Sequence, residues 1–284
     1  MDNSIVNFTT PQASTNSTSP SSGPTTLEDG LKMFICCLNV LFGVPTHSYV
    51  IWLIVTETGS SFVSRFFILN LSVCEIGNCL HGLLVLLAFL FSSLTAASHF
   101  FQGLGITGRP LFQCLMCVER YLAVVHPVTF LKFKPLRYRV MFSTAAWIIC
   151  LVSCSSCIFI LVSFEFDIFT WFFSVQFLIF LSIQLFCLMA VLRALKQSGP
   201  GERGREREEE NHMKRRAFYL ILITTVSMII LYVPFVILGF VIILTKQNII
   251  GFWFSVVVCY VVAGFIQPVV YLHSAGKLFC LRSA

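Results

Sequence analysis

The stretch that decides the fold is M-C-V-E-R-Y-L-A-V-V-H-P at residues 116–127. It places an acid, an arginine and a tyrosine side by side where a long apolar segment ends, and a basic run follows at residues 132–139. Charged side chains are tolerated near the end of a membrane helix, where they reach water or a partner. The stretch therefore predicts the end of a membrane-spanning helix, although an ordinary cluster of juxtamembrane charges would carry the same three residues.

The composition of the whole chain is that of a protein that crosses a membrane several times. Of its 284 residues, 57% are hydrophobic and only 11% are charged, and the mean hydropathy is +0.86. A soluble domain of this size is much less apolar, so soluble enzymes and nucleic-acid-binding domains are excluded. The 12 cysteines fall almost entirely within apolar runs, where they act as small buried hydrophobes, and their spacing indicates neither a metal site nor a cofactor.

Seven apolar segments are each long enough to cross about 30 Å of hydrocarbon at about 1.5 Å per residue. We place them at residues 32–56, 66–91, 96–125, 139–162, 170–195, 214–244 and 250–272. The predicted fold class is therefore an all-α membrane protein. A seven-transmembrane helix bundle occupies residues 32–273, and a short C-terminal amphipathic helix follows it.

The two ends of the chain are more polar than the segments between them. Residues 1–31 are rich in Ser, Thr and Pro and are predicted to form a disordered extracellular tail, with glycosylation sequons at Asn7 and Asn16. Residues 274–284 combine apolar and basic side chains and are predicted to lie on the cytoplasmic face of the membrane. Cys280 is a candidate site of palmitoylation there.

The loops indicate which side of the membrane each end faces. With the N-terminus outside, nearly all lysines and arginines fall on the inner side, and only Lys32 and Lys246 fall on the outer side. Because cytoplasmic loops are enriched in these residues, the asymmetry predicts an extracellular N-terminus. The charged stretch 197–212 is predicted to be a flexible cytoplasmic loop.

The E-R-Y triplet Glu119–Tyr121 resembles the signature at the inner end of the third span of rhodopsin-like (class A) G-protein-coupled receptors. Further landmarks follow in the order of that family: H-S-Y-V at 47–50, N-L-S-V-C-E at 70–75, Trp147, L-Y-V-P at 231–234 and Q-P-V-V-Y at 267–271. The opening of the sixth span and the H-P-V after the triplet are most similar to the nucleotide, lysophospholipid and protease-activated receptor branch, particularly its fish members.

The resemblance implies a plasma-membrane receptor, and not an enzyme, that transmits an extracellular signal to heterotrimeric G proteins. Its expected partners are a G protein, an unknown extracellular ligand, membrane lipids and a second receptor in a dimer. The residues that it assigns to G-protein coupling and activation are Glu119, Arg120, Tyr121, Tyr232, Pro234, Gln267, Pro268 and Tyr271.

The chain also departs from the family pattern. His47, Tyr232 and Gln267 stand where the family carries Asn, Trp and Asn. Most relatives have a disulfide between the outer end of span three and the second outer loop, but residues 92–108 and 163–167 contain no cysteine. We therefore expect that disulfide to be absent.

A second departure concerns the arginine of the triplet. In the family its acidic neighbour holds it at rest, and in many relatives an acid at the inner end of span six holds it as well. Here residues 214–216 are Lys, Arg and Arg, which can only repel Arg120. Glu119 is therefore the one restraint that the sequence offers, and signalling without agonist is expected.

The resemblance places the ligand pocket in the outer half of the bundle. Its candidates are His81, His99, Gln102, Gln176, Gln184 and Trp253. The outer halves of spans six and seven carry no fixed cation for a phosphate group, which disfavours a nucleotide. An apolar or amphipathic small molecule is the predicted ligand.

Two opposite charges fall inside the apolar spans at similar depth. Arg109 lies eleven residues before Arg120, about 16 Å deeper in the membrane, and Glu75 lies about 13 Å deep in span two. Either charge alone would be costly there, so they are predicted to form a buried ion pair. Relatives use the acid at this position to hold a sodium ion, and the guanidinium of Arg109 is predicted to take its place. Pro110 is predicted to kink span three.

Two other functions stay open at the level of sequence. A seven-span protein that no longer signals, and that instead partners or traffics another receptor, is the alternative that the broken motifs at His47, Tyr232 and Gln267 allow. A transporter would need several intramembrane charges or interrupted helices along a path, and only Glu75 and Arg109 are charges of that kind.

Overall fold

The computed structural model describes residues 25–56, 65–133, 135–163, 166–197 and 205–245, with nine further residues of the last segment between Val258 and Leu272. Several predictions fall outside these residues. They concern the glycosylated tail with Asn7 and Asn16, the pocket residue Trp253, the motif residue Gln267, and the C-terminal piece with Cys280.

The described chain is almost entirely helical and contains no strand, so the predicted all-α class is confirmed. The helices are α1 (Thr25–Val55), α2 (Phe66–Ala88), α3 (Thr95–Gly103), α4 (Arg109–Val125), α5 (Pro127–Phe133), α6 (Leu136–Val162), α7 (Phe166–Gln197) and α8 (Arg205–Thr245). A 3₁₀ turn, Ser92–Leu94, precedes α3, and a π-helical segment, Leu104–Gly108, joins α3 to α4. The third span is α3, this π segment and α4 together.

Two boundaries differ from the sequence-based prediction. Helix α1 begins at Thr25, so residues 25–31 are helical instead of belonging to the tail. Helix α8 begins at Arg205, so the prediction of a flexible loop was wrong for residues 205–212. That stretch is mostly Arg and Glu, which have high helix propensity.

Five helical segments are long and apolar enough to cross a membrane: Gly30–Val55, Phe66–Ala88, Leu136–Val162, Asp167–Lys196 and Ala217–Thr245. The third span does not qualify as one helix because the π segment divides it into two shorter pieces. Most of the predicted seventh span lies outside the described residues. The structure therefore describes six of the seven predicted spans, in the predicted order.

The third span lies at the centre of the described bundle, in contact with α2, α6, α7 and α8. Two glycines permit this close packing. A Cβ added at Gly103 would lie 2.6 Å from the backbone Cα of Cys154 in α6, and one at Gly108 would lie 2.5 Å from Sγ of Cys74 in α2. No side chain fits at either position, so glycine is required for the approach of these helices.

Candidate functional site

Glu75 of α2 and Arg109, the first residue of α4, are in contact in the middle of the bundle. Arg109 Nε donates to Glu75 Oε1, and Arg109 Nη2 donates to Oε2 over 2.6 Å, so the pair is bidentate. The two side chains are only 3% and 5% exposed. Asn78, one turn after Glu75, donates to Oε2 over 3.5 Å. The carboxylate thus has three donors in a site from which water is largely excluded.

The backbone of the last segment covers this ion pair. A Cβ added at Gly264 would lie 3.3 Å from Arg109 Nη2, which is a tight contact, and 3.9 Å from Glu75 Oε2, which is an ordinary one. His47 of α1 is also buried and lies within electrostatic range of Glu75 and Arg109. Four spans therefore meet at one pair of charges. The role of the pair as a substitute for sodium stays a prediction.

The E-R-Y triplet has a different arrangement from the predicted one. Glu119 Oε1 accepts a hydrogen bond from Nη2 of Arg139, which lies in the first turn of α6, and the two side chains are 9% and 5% exposed. Glu119 feels the charge of Arg120 as well, but its contact is with Arg139. Within the described residues, the half-buried Arg120 makes neither a hydrogen bond nor a contact ion pair. Glu119 therefore contacts Arg139 and not Arg120, and its electrostatic restraint of Arg120 stays a prediction.

The tyrosine of the triplet faces the fifth span. The hydroxyl of Tyr121 and Nε2 of His126 are 3.0 Å apart and share a hydrogen bond. The ring of Tyr121 packs edge-on against Phe186 of α7, with 5.6 Å between ring centroids. These contacts join the end of α4 to α7.

The tyrosine of the last motif is held by an arginine that the sequence did not single out. Arg65 Nη1 donates to the Tyr271 hydroxyl over 3.0 Å, and the guanidinium lies 5.3 Å from the centre of the ring. Tyr271 is buried in a cluster with Val50 and Ile54 of α1. It therefore faces α1 and the start of α2.

Tyr232 of α8 contacts the third span through its hydroxyl. It donates to the carbonyl oxygen of Gly105 over 2.8 Å and lies 3.4 Å from that of Ile106. Its ring stacks against Phe173 and Phe177 of α7, at centroid distances of 5.4 and 5.8 Å. The resemblance assigned this residue to activation, and the hydrogen bond to the π segment was not predicted.

The pocket candidates divide into residues that hold helices together and residues that do not. His81 Nδ1 is 2.9 Å from the carbonyl oxygen of Ser98, and Gln176 Oε1 accepts a hydrogen bond from Thr107 over 2.7 Å.

His99 lies within electrostatic range of His81, and its buried Nδ1 has no partner among the described residues. Gln102 is half-buried on the same helix as His99.

Gln184 belongs to the core instead of the pocket. It is 0% exposed, and its Nε2 donates towards Cys114 Sγ over 3.6 Å. The ten cysteines in the described part of the chain are all free thiols. In that same part, no three His, Cys, Asp or Glu side chains are placed to hold a metal ion together.

The comparison with known families decides the classification. The family model described as "7 transmembrane receptor (rhodopsin family)" matches residues 47–271, which is most of the chain. The chain belongs to the rhodopsin family of seven-transmembrane receptors. The predicted family and seven-helix fold are thereby confirmed, and the transporter alternative loses its support.

Two curated relatives of this receptor are human chemokine receptors. It is 27% identical to chemokine XC receptor 1 from Homo sapiens over 195 residues, which cover 60% of this chain and 55% of the relative. It is 26% identical to C-C chemokine receptor type 8 from Homo sapiens over 236 residues, covering 72% of this chain and 61% of the relative. The receptor thus spans less than two thirds of the length of either relative. The predicted nucleotide, lysophospholipid and protease-activated branch is not confirmed and stays a prediction.

Three residues of the receptor site were missed at the level of sequence. Arg139, Arg65 and Gly264 each contact a predicted motif residue on another helix. Arg139 and Arg65 had been counted only as cytoplasmic charges, and Gly264 has no local pattern that separates it from other glycines of an apolar segment. Their partners lie between 20 and 206 positions away along the chain.

Proposed function

We propose that this protein is a cell-surface receptor that passes an extracellular signal to a heterotrimeric G protein, with its N-terminus outside the cell. The observation that carries the proposal is the state of Arg120. Its guanidinium lies at the end of the third span, half-buried, while Arg139 takes the contact with the neighbouring acid. A cation in that position is available to a partner that approaches from the cytoplasm.

The charges around Arg120 favour signalling without agonist. Glu119 is engaged by Arg139, so its negative charge is shared between two guanidinium groups. At the start of the membrane-spanning part of α8 the exposed Arg215 stands where an acid would be needed to hold Arg120. Like charges repel each other, so Arg215 disfavours the approach of α8 to the third span. We infer a basal level of coupling above that of relatives with both restraints.

The ligand is proposed to be an apolar or amphipathic small molecule that enters the outer half of the bundle near His99 and Gln102. The sequence supports this class, because the outer halves of spans six and seven carry no fixed cation for a phosphate group. The two relatives are named as chemokine receptors, which makes a chemokine the second class of ligand to test.

The experiment is a panel of G-protein dissociation sensors in cells that express the receptor without added ligand. The expected result is a basal signal that Arg120→Ala abolishes at unchanged surface expression. Arg137→Ala is the matched control, because Arg137 is an exposed arginine at the same end of the bundle that contacts only its neighbour Tyr138 among the described residues. A wild-type protein that reaches the surface and stays silent on every sensor would favour the alternative, a non-signalling partner of another receptor.

A further inference from the structure

The backbone of the third span contains a carbonyl group that its own helix cannot satisfy. In the π segment the N–H of Arg109 bonds to the carbonyl of Leu104, five residues earlier. The next carbonyl in this register is that of Gly105, and its donor would be the N–H of residue 110. Residue 110 is a proline, which has no N–H. The π register and Pro110 together therefore leave the Gly105 carbonyl without a donor from its own helix.

An unpaired carbonyl in the interior of a membrane protein is costly because no water is present to replace the missing donor. The donor here comes from another span. The hydroxyl of Tyr232 in α8 lies 2.8 Å from the Gly105 oxygen and 3.4 Å from that of Ile106, and Tyr232 is only 3% exposed. A side chain of the sixth span thus supplies the hydrogen bond that Pro110 removes from the third.

The position of this hydroxyl is fixed by the fifth span. The ring of Tyr232 is stacked at 26° to the plane of Phe173 and at 13° to that of Phe177. Both phenylalanines are buried, so the tyrosine ring has little freedom to turn away. Pro234, two residues later in α8, is a point at which the helix can bend.

We propose that Tyr232 is a positioning residue that acts as a latch: its hydroxyl replaces the amide that Pro110 lacks and ties α8 to the π segment. Moving α8 away from the third span leaves the Gly105 carbonyl without a hydrogen-bond donor, unless the backbone of the π segment rearranges. The effect of the latch on signalling rests on the proposed function, because the latch opposes the release of α8 from the third span. Its structural part, the exchange of one donor for another, stands independently of signalling.

The test is a double-mutant cycle on purified, full-length receptor. Tyr232→Phe keeps the stacked ring and removes the donor, whereas Pro110→Ala restores a backbone N–H that can bond to Gly105. In the wild-type background, Tyr232→Phe is expected to lower the midpoint of thermal unfolding by about 2–4 °C, the shift that loss of one buried hydrogen bond predicts. In the Pro110→Ala background the same change is expected to have no effect. Tyr219→Phe is the control, because Tyr219 is an exposed tyrosine on the same helix.

Equal destabilisation by Tyr232→Phe in the wild-type and Pro110→Ala backgrounds would overturn the latch. Failure of Tyr232→Phe to fold in both backgrounds would overturn it as well. Recovery of folding by Pro110→Ala, where Tyr232→Phe alone does not fold, supports it. The second readout is the basal G-protein signal, which Tyr232→Phe is expected to raise in the wild-type background only. If the unfolding cycle shows the coupling but the basal signal does not change, the conformational role is wrong. If no variant signals at all, the proposed function fails while the unfolding cycle still decides on the latch.

Discussion

At the scale of single residues, the function of a charge depends on which partner holds it. Glu119 and Arg120 are adjacent in sequence, and a direct restraint between them was the natural expectation. The structure instead pairs Glu119 with Arg139, a residue of the next span that is nearly buried. Glu119 feels the charges of both Arg120 and Arg139, but its contact is with Arg139. Arg139 therefore competes with Arg120 for the same carboxylate.

Removal of this competitor should change signalling in a defined direction. Arg139→Ala leaves Glu119 without its contact, so the carboxylate is free to hold Arg120. The expected result is a several-fold lower basal signal at comparable surface expression, measured with G-protein sensors. Arg137→Ala removes a charge from the same helix turn without touching Glu119 and should leave the signal unchanged. A basal signal that rises in Arg139→Ala would show that Arg139 itself restrains the arginine of the triplet.

At the scale of the helices, the interruption of the third span organises the bundle. The π segment sets the start of α4, so that Arg109 faces α2 while Ile106 and Cys114 face α7 and α8. The small residues Gly103 and Gly108 let α6 and α2 approach the same short stretch. The centre of the third span thus combines close packing with an irregular backbone.

The ion pair between α2 and α4 should behave as one unit. Glu75→Ala and Arg109→Ala each leave a buried charge without its partner, which costs about 3–5 kcal/mol. Each single change is expected to reduce surface expression strongly, measured by labelling of intact cells. The double change Glu75→Arg with Arg109→Glu should recover part of the loss, since it restores two opposite charges at the same depth. Simple addition of the two losses in the exchanged variant would contradict a coupled pair.

At the scale of the whole molecule, stability does not depend on covalent cross-links in the described part of the chain. All ten described cysteines are free, and those of α6 pack against the third span as small apolar side chains. The outer-loop disulfide of most relatives was expected to be absent because residues 92–108 and 163–167 contain no cysteine. The fold is held instead by close helix packing and by the interhelical hydrogen bonds of Trp147, Thr107 and Tyr232.

Reducing agents should therefore leave the folded receptor unaffected. The expected result is an unchanged midpoint of thermal unfolding and an unchanged basal signal after treatment of intact cells with a membrane-impermeant reductant. Mass spectrometry of the untreated protein under non-reducing conditions is the direct check. A disulfide between two outer loops would contradict both this prediction and the proposed orientation.

The class, the order of the spans and the depth of the two buried charges could be predicted from the sequence alone. These properties follow from segment length, apolar content and the rise per residue of a helix, which are local. The equal depth of Glu75 and Arg109 could be read in this way because depth depends only on position along each helix. The family landmarks, from E-R-Y to Q-P-V-V-Y, are likewise contiguous patterns.

Which side chains of different helices meet could be seen only in the folded molecule, because it depends on the rotation of each helix about its axis. Three such contacts are those of Arg139 with Glu119, of Arg65 with Tyr271, and of the Tyr232 hydroxyl with the Gly105 carbonyl. Helix rotation is set by the packing of all neighbouring spans together, so no single segment specifies it. Even the role of Pro110 required the structure, because its missing N–H matters only once the π segment fixes which carbonyl it would have served.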